Sequence, residues 1–510
     1  MFANTIPVSK PEVSSQIKRI GFILGVCCMF LIPARLLSSQ PARQYFSLDD
    51  VIRLARETSP DALVARHRFR GSYWQHRSFQ AGYLPNLRFD ATIPNLNRTI
   101  SPITLPDGSD IFIRRSLATS SGNLSLSQTI FPTGGQLFVS SGLQRIDLIR
   151  DDETVASFLS TPINIGFRQP IFAYNPFKWE RQIEPLRYQE AQKQYVENLE
   201  NISIRATTMF FDLLLAQMNI EINRLNQASN DTLYRIAEGR YSLGRIAENE
   251  LLQMELNLLN SEATLDQSLI DYEAALFRFR SFLALEGVDA IELIPPFDVH
   301  DLQVDVNAAL VEARRNRADI IAQQRQLIQA ESEVSRAKAD ARFNANLFAV
   351  YGLTQTADDL PGVYRDPLDQ QQLTIGVQIP ILDWGVSRGR VRMAESNREL
   401  VNATVNQAFV DFEQEVFLRV MEFNMLKSQL EIAQKADIIA EKRYEVTRER
   451  FLIGRIDIIE LNLAIEEKDR SKQRYLAAMR NYWRGFYEIR RITLYDFLND
   501  QPLVVDFGEI

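Results

Sequence analysis

Few side chains in this sequence have the types and spacing that chemistry demands. His67, His76 and His300 form no pair at metal-ligand spacing, and neither a phosphate-cradling glycine loop nor a nucleophile elbow occurs. Gly134-Gly135 reads as a turn. Both cysteines, Cys27 and Cys28, lie in one apolar run near the N-terminus, so a chain relieved of that run has no thiol for a disulfide or a nucleophile. No catalytic, metal or cofactor-binding residue is expected, and the chain does not read as an enzyme. The charged residues that do stand in a pattern flank a repeated glycine. Arg240-Tyr241-Ser242-Leu243-Gly244-Arg245-Ile246 recurs as Arg450-Phe451-Leu452-Ile453-Gly454-Arg455-Ile456, and Glu250-Leu251 returns as Glu460-Leu461. Arg245, Arg455, Glu250 and Glu460 thus offer electrostatics at two equivalent places.

The elements that position these charges are themselves written twice. Gln169-Pro170-Ile171-Phe172 recurs as Ile379-Pro380-Ile381-Leu382 and Tyr272 as Tyr482, every pair 210 residues apart with no gap needed. Short repeats of 20 to 50 residues would mean a solenoid, whereas two long copies imply a pseudo-symmetric wall, shell or tube. Gly244 and Gly454 sit where long helices reverse, a place that calls for a left-handed residue.

Between Ile202 and Leu225 apolar residues follow two heptad tracks. One runs Ile202, Ala206, Met209, Leu213, Ala216, Ile220; the other runs Ile204, Phe211, Leu215, Met218, Ile222, Leu225. Steps of 3 and 4 mark a coiled-coil seam. The offset of two residues is about 200° around a helix, so each helix can touch a neighbour on either flank. Arg205, Asp212, Asn219 and Asn226 take the remaining arc, and the second copy keeps Phe412, Val416, Phe423, Leu426 and Leu430. A long helix over 175–238 would measure roughly 95 Å, against roughly 60 Å for a return helix over 247–285 and roughly 55 Å for a helix over 304–341. Two shorter helices stacked end to end then match one long one. In the second copy the long helix spans about 387–451 and the return helix about 457–498. Its extra helix is expected from the N-terminus, about 48–83, opened by Ser47 with Asp49-Asp50 behind it.

Alternation of period two marks strands at Leu87, Phe89, Ala91, Ile93, at Leu347, Ala349, Tyr351, at Ile163, Ile165, Phe167, and at Leu373 through Ile381. Pro170 and Pro380 mark the exits from strand to helix. Four strands cannot close a membrane barrel, and an open edge in lipid leaves backbone groups unsatisfied, so several chains must complete it. A second hairpin, 123–131 and 136–143 around Pro132-Thr133-Gly134-Gly135, either joins that barrel or folds over a rim. The stretches beside it, 96–121 and 145–161, read as longer polar connections.

Residues 1–40 read as an export signal: Lys10, Lys18 and Arg19 precede an apolar run, Ile20 to Ile32, too short to span a membrane. They carry a net +3 (four basic residues against Glu12), so the formal charge of −8 becomes −11 without them. That balance disfavours nucleic acid as a partner. No later stretch reaches the roughly 20 apolar residues of a membrane helix. The domain reading is therefore a signal peptide over 1–40, then two repeats. The first, 41–297, holds a helix, strands within 86–172 and a helical hairpin over 175–286. The second, 298–510, holds a helix, strands within 345–382 and a hairpin over 387–498.

Leu84-Pro85-Asn86-Leu87, the Gln169-Pro170-Ile171-Phe172 exit and the paired Arg-aromatic-x-aliphatic-Gly turns, in this order and duplicated, resemble the TolC-like outer-membrane efflux protein family. The resemblance covers nearly the whole chain beyond residue 40. It implies a mainly α fold: long antiparallel coiled-coil helices form an α-barrel through the periplasm, and a β-barrel completed by trimerisation sits in outer-membrane lipid. It also implies a periplasmic adaptor protein and an inner-membrane pump as partners, and a passive exit duct for efflux or type I secretion. The turn glycines would lie near the periplasmic tip, with Glu460, and Glu250 in the first copy, at the constriction. Leu463 stands where family members carry a second acid. Three Glu460 side chains in a ring would repel one another and attract cations, and Arg245 and Arg455 would hold the closed tip through inter-helix ion pairs. An elongated non-conducting envelope scaffold is the alternative, and it would not need the alternating strands.

Overall fold

The structure, a computed structural model, describes residues 44–149, 153–285, 291–296 and 301–508; the expected signal segment, Cys27, Cys28 and His300 lie outside them. The chain opens with a short strand β1 (Gln44–Phe46) and two helices, α1 (Leu48–Thr58) and α2 (Pro60–Ala81). Four long strands follow: β2 (Asn86–Thr104), β3 (Asp110–Ile130), β4 (Gly135–Ile149) and β5 (Thr154–Ile171). Then come the long helix α3 (Pro176–Ser242), its return α4 (Glu248–Leu283) and the short strand β6 (Ile291–Leu293). The second half repeats the order with fewer strands: α5 (Val306–Asn316), α6 (Ala318–Asp340), β7 (Asn344–Ala357), β8 (Leu368–Gln378), α7 (Val386–Leu452) and α8 (Ile458–Thr493). Two-residue strands β9 (Tyr495–Asp496) and β10 (Gln501–Pro502) close it. The fold is mainly helical. Helices α3 and α7 each have 67 residues, and α4 and α8 each have 36.

Two expected single helices are broken. At 48–81 the break falls at Ser59, extended in backbone, whose side chain accepts from the Ala62 amide while Pro60 takes the first helical position. At 306–340 it falls at Arg317, also extended and 8 % exposed, held by Glu415 at 2.8 Å and Asp319 at 3.0 Å. The stacking also differs from expectation. Helix α2 packs on α3, and the Thr58 hydroxyl donates to the Leu283 carbonyl at the end of α4. The N-terminal helices thus continue α4 rather than α8; α6 lies between α3 and α7, and α5 meets the α7–α8 pair.

Lower down, the packed neighbours are α4 with α3, α3 with α8, and α8 with α7, so four helices stand side by side with α4 and α7 at the edges. The first heptad track of α3 lies in the core, with Ala206 and Leu213 fully buried. Phe210 and Leu214, on neither track, are buried as deeply, because α3 is enclosed on more than two sides. Asp212, Asn219 and Asn226 are partly buried and form a polar ladder to α8, reaching Arg480 at 3.3 Å, Gln473 at 3.5 Å and Asp469 at 2.6 Å. Arg205 pairs with Asp61 on α2.

The two edge helices show the double seam in a purer form. On α4 the track Met254, Ser268, Ala275, Phe279 is buried, and two residues away around the helix Leu252, Leu256, Leu259, Ile270 and Phe277 are exposed. On α7 Val416, Phe423, Leu430 and Asp437 are buried, whereas Leu418, Met425, Ile432, Ile439 and Val446 are exposed, one every seventh residue. An offset of two residues places each exposed ladder about 200° from the buried one.

The six long strands form one antiparallel sheet in the order β2-β3-β4-β5-β7-β8. Stretches 96–121 and 145–161, expected as polar connections, are mostly strand: β2 and β3 pair from Asn86–Ser127 to Thr104–Asp110 and turn at 105–109, and β4 pairs with β5 out to Ile149–Thr154. Serine, threonine and asparagine on both faces hid the pairing. Pro170 still pairs with Asn346 inside the ladder of β5 and β7, beyond the last partner of β4, so its missing N–H faces no strand. Pro380 lies past the end of β8, which stops at Gln378 and leaves Ile379 and Ile381 outside the sheet.

Candidate functional site: the paired helix tips

Each long hairpin reverses on its repeated glycine. Gly244 has φ 68° and Gly454 φ 73°, the left-handed region. The Gly244 amide donates to the Tyr241 carbonyl at 2.8 Å and that of Arg245 to the Arg240 carbonyl at 2.9 Å; Gly454 and Arg455 donate to Phe451 and Arg450 at 2.9 and 3.0 Å. These bonds satisfy the last carbonyls of α3 and α7. A Cβ at either glycine would meet nothing within 4 Å, so backbone conformation and not space demands the residue.

The returning helices begin differently. Asp457 caps α8 by accepting from the Glu460 amide at 2.9 Å, whereas Ala247 gives α4 no side-chain cap. Glu250 and Glu460 both stand in the first helical turn, where a carboxylate suits the helix dipole. Both carboxylates and both arginines, Arg245 and Arg455, are exposed, and among the described residues no ion pair within the chain joins them.

The contacts that tie this chain's own tips together come from residues to which the sequence reading gave no role, although Arg240, Phe451 and Leu461 stand in the repeated turns. Leu233, Ala237, Met254, Phe451, Ile458 and Leu461 form a small apolar cluster at the end of the four helices. Arg240 of the first hairpin lies 5.4 Å over the Phe451 ring and donates to the Leu452 carbonyl at 3.3 Å. Phe451 is 8 % exposed, and its counterpart Tyr241 is 42 % exposed. The one readable signal was the exchange of a phenol for a phenyl ring between copies, which marks the site without a hydroxyl as the buried one. Above the cluster Asn257 donates to Asn462 at 3.4 Å. Asp469, bound by Asn226, has its carboxyl pushed above the usual range by burial, with Lys468 pulling the other way. Among the described residues no cluster of His, Cys, Asp or Glu could hold a metal, and no helix is long and apolar enough to cross a membrane.

The tips thus close a bundle of long helical hairpins that continues from an exposed six-stranded antiparallel sheet. Residues 309–493, within the second half of the chain, match the Outer membrane efflux protein family. No curated protein matches the sequence. Among solved structures the chain resembles the CmeC outer membrane channel of Campylobacter jejuni, with TM-score 0.64 and 15% identity over 91% of this chain and 88% of that one. It also resembles the outer membrane protein VceC of Vibrio cholerae, with TM-score 0.61 and 15% identity over 88% of this chain and 95% of that one. At that identity the likeness is one of fold, and it extends across the half that the family match does not cover. The fold is thus that of TolC-like outer-membrane channels.

Proposed function

We propose that this protein is the outer-membrane exit duct of a tripartite efflux or type I secretion system, exported by its first 40 residues and assembled as a homotrimer. The observation that carries this reading is the pair of open edges. Helices α4 and α7 each present an apolar heptad ladder with no partner in the chain, and strands β2 and β8 each present an unpaired backbone edge. A chain incomplete on both flanks closes only against copies of itself, α7 of one against α4 of the next. The equal lengths of α3 and α7, and of α4 and α8, support the two-repeat reading with its boundary near residue 298.

On this reading the duct is passive, since the sequence carries no phosphate-cradling glycine loop, and an inner-membrane pump with its periplasmic adaptor drives export. The gate lies at the tips, where Gly244 and Gly454 are the reversal points. Glu460, with Glu250, faces the constriction and draws cations, and Arg245 and Arg455 bridge neighbouring chains in the closed state. Planar-bilayer conductance of the detergent-purified oligomer, with its mass determined alongside, tests the whole reading. A trimer with small cation-selective conductance, reduced in selectivity by Glu460→Gln, is the expected result. A species that is soluble without detergent and never conducts leaves the scaffold alternative standing.

A further inference from the structure

The first half brings four long strands to the sheet where the second half brings two; the difference is the hairpin β3–β4. We propose that this hairpin is part of the membrane wall, so that each chain contributes six strands and the assembled barrel has eighteen. The total rests on the trimer reading, whereas the six strands per chain do not.

Register and pleat carry the argument, because successive residues of a strand point to opposite faces. Paired residues share a face, so the ladder can be followed across the sheet. From Leu87 and Phe89 on β2 it passes to Leu126 and Leu124 on β3, then from Leu126 to Val139 on β4 and on to Ile165 on β5. It ends at Tyr351 on β7, whose strand also places Leu347 and Ala349 on this face, opposite Ile375 and Leu373 of β8. That face is apolar on all six strands, and its large side chains, Phe89, Leu126, Ile165 and Ile375 among them, are exposed. The opposite face carries Arg88 and Asp90, then Ser125 and Ser127, then Ser140, Asn164, Asn346 and Thr374. Phe138 on β4 and Phe348 and Val350 on β7 interrupt the second face, Phe138 stacking on Phe348; elsewhere one face is mainly apolar and the other mainly polar, the pattern of a barrel wall in lipid. A flap folded over a rim would have no reason to keep its apolar side in phase with β2 and β5. The irregularity of β2 between Thr92 and Asn95 preserves that phase: the extra residue puts Leu96 and Ile100 on the same face as Leu87.

Two further observations agree. The turn of the hairpin is fastened to the base of the sheet, for the Asn175 side chain that caps α3 also donates to the carbonyls of Phe131 at 2.9 Å and Pro132 at 3.1 Å. The perimeters also match. Twelve helices about 10 Å apart make a ring of about 120 Å. Eighteen strands about 4.8 Å apart and tilted by about 40° make about 113 Å, and twelve would make only about 75 Å. A wall of eighteen continues the helical tube without a constriction at the junction. The strand count is even and the two free edges run in opposite directions, so β8 of one chain can pair antiparallel with β2 of the next.

Single-cysteine variants of the full-length protein in proteoliposomes test this with a membrane-impermeant thiol reagent, the unsubstituted protein serving as blank. Ser125→Cys and Ser140→Cys, neighbours on the polar face, are expected to react fully, while Leu126→Cys and Val139→Cys, neighbours on the apolar face, stay unmodified. Equal labelling of the two pairs overturns the wall assignment. The oligomer's mass, read on the same samples, decides the total: three copies give eighteen strands. Alternating labels on an assembly of another size overturn the trimer and the number eighteen while upholding six strands per chain. All four positions are surface side chains of a formed sheet, and heat-modifiable migration on gels confirms that each variant has folded.

Discussion

Helices α3 and α7 have the same length and correspond residue for residue across an offset of 210, yet they live in different surroundings. Glu200 on α3 is 2 % exposed, held by Arg56 at 2.7 Å and Arg490 at 3.3 Å, while its counterpart Val410 on α7 lies open. The polarity is the reverse of what burial of a lone chain would select. A carboxylate removed from water is tolerated because two guanidiniums meet it, and losing one partner of such a group costs about 3–5 kcal/mol. An exposed valine, and beyond it Leu418, Met425, Ile432 and Ile439, one every seventh residue and all exposed, have no such internal reason. Equal helices in unequal places make α3 an interior element of the chain and α7 an edge element, whose open apolar face the proposed trimer would cover.

The largest expected effect breaks that comparison directly. Ile432→Asp alters a side chain without a buried contact in the chain, so the folded chain should change by only about 0.5 kcal/mol, as surface substitutions do. In the assembled ring the same aspartate would be buried against α4 of a neighbour, unpaired, and the trimer should be lost. Size-exclusion chromatography with light scattering separates the cases. An intact trimer would show that α7 faces solvent or a different partner, and the equivalence of α7 with an interior helix would fail.

Much of this arrangement was legible in the sequence, and for a definite reason. Heptad tracks and turn glycines are periodic or punctual signals, so the double seams, the reversals at Gly244 and Gly454 and the strands beginning at Leu87 and ending near Phe167 could be read without a fold. What escaped depended on partners far along the chain. Asp212, Asn219 and Asn226 look like a solvent face until α8 supplies Arg480, Gln473 and Asp469. Strands β3 and β4 look like loops at their outer ends because serine, threonine and arginine interrupt the apolar alternation there. The break at Ser59-Pro60 carried its own signal and was missed, whereas the break at Arg317 has none, being held by Glu415, 98 residues away. At the tips the glycines, arginines, glutamates and the turn aromatics were found by repetition, but repetition treats Tyr241 and Phe451 alike and could not show that Phe451 alone is buried between the hairpins.

That difference gives the second prediction. Phe451→Ala empties the tip cluster and removes the ring beneath Arg240; Phe→Ala in a packed site costs about 3 kcal/mol. Tyr241→Ala, at the equivalent place, should cost less than about 0.5 kcal/mol. Hydrogen exchange over 444–465 reads the effect, with faster exchange of these amides in the first variant and unchanged rates in the second. Comparable loss from both would mean that the tips are symmetric in the assembly, with Tyr241 buried by a neighbouring chain.

The smallest effect concerns how the two long helices start. Asn175 caps α3, accepting from the Phe177 amide at 3.1 Å, and does not titrate. Before α7 the corresponding work falls to Asp383, which accepts from the amides of Ser387 at 2.8 Å and Gly385 at 3.0 Å. The Ser387 hydroxyl, followed by the amides of Ser387 and Gly385, holds its carboxyl down at about 2, below its ordinary 3.8. A depressed carboxylate stabilises the folded form above its unfolded pKa, and that stabilisation is lost as pH falls. The window is therefore pH 3.8 down to about 2. Across it the Ser387 amide should lose protection while the Phe177 amide keeps its own, and Asp383→Asn should flatten the difference. If both helix starts loosen together on acidification, the cause lies in the shared sheet above them, and the asymmetry between α3 and α7 does not reach their first turns.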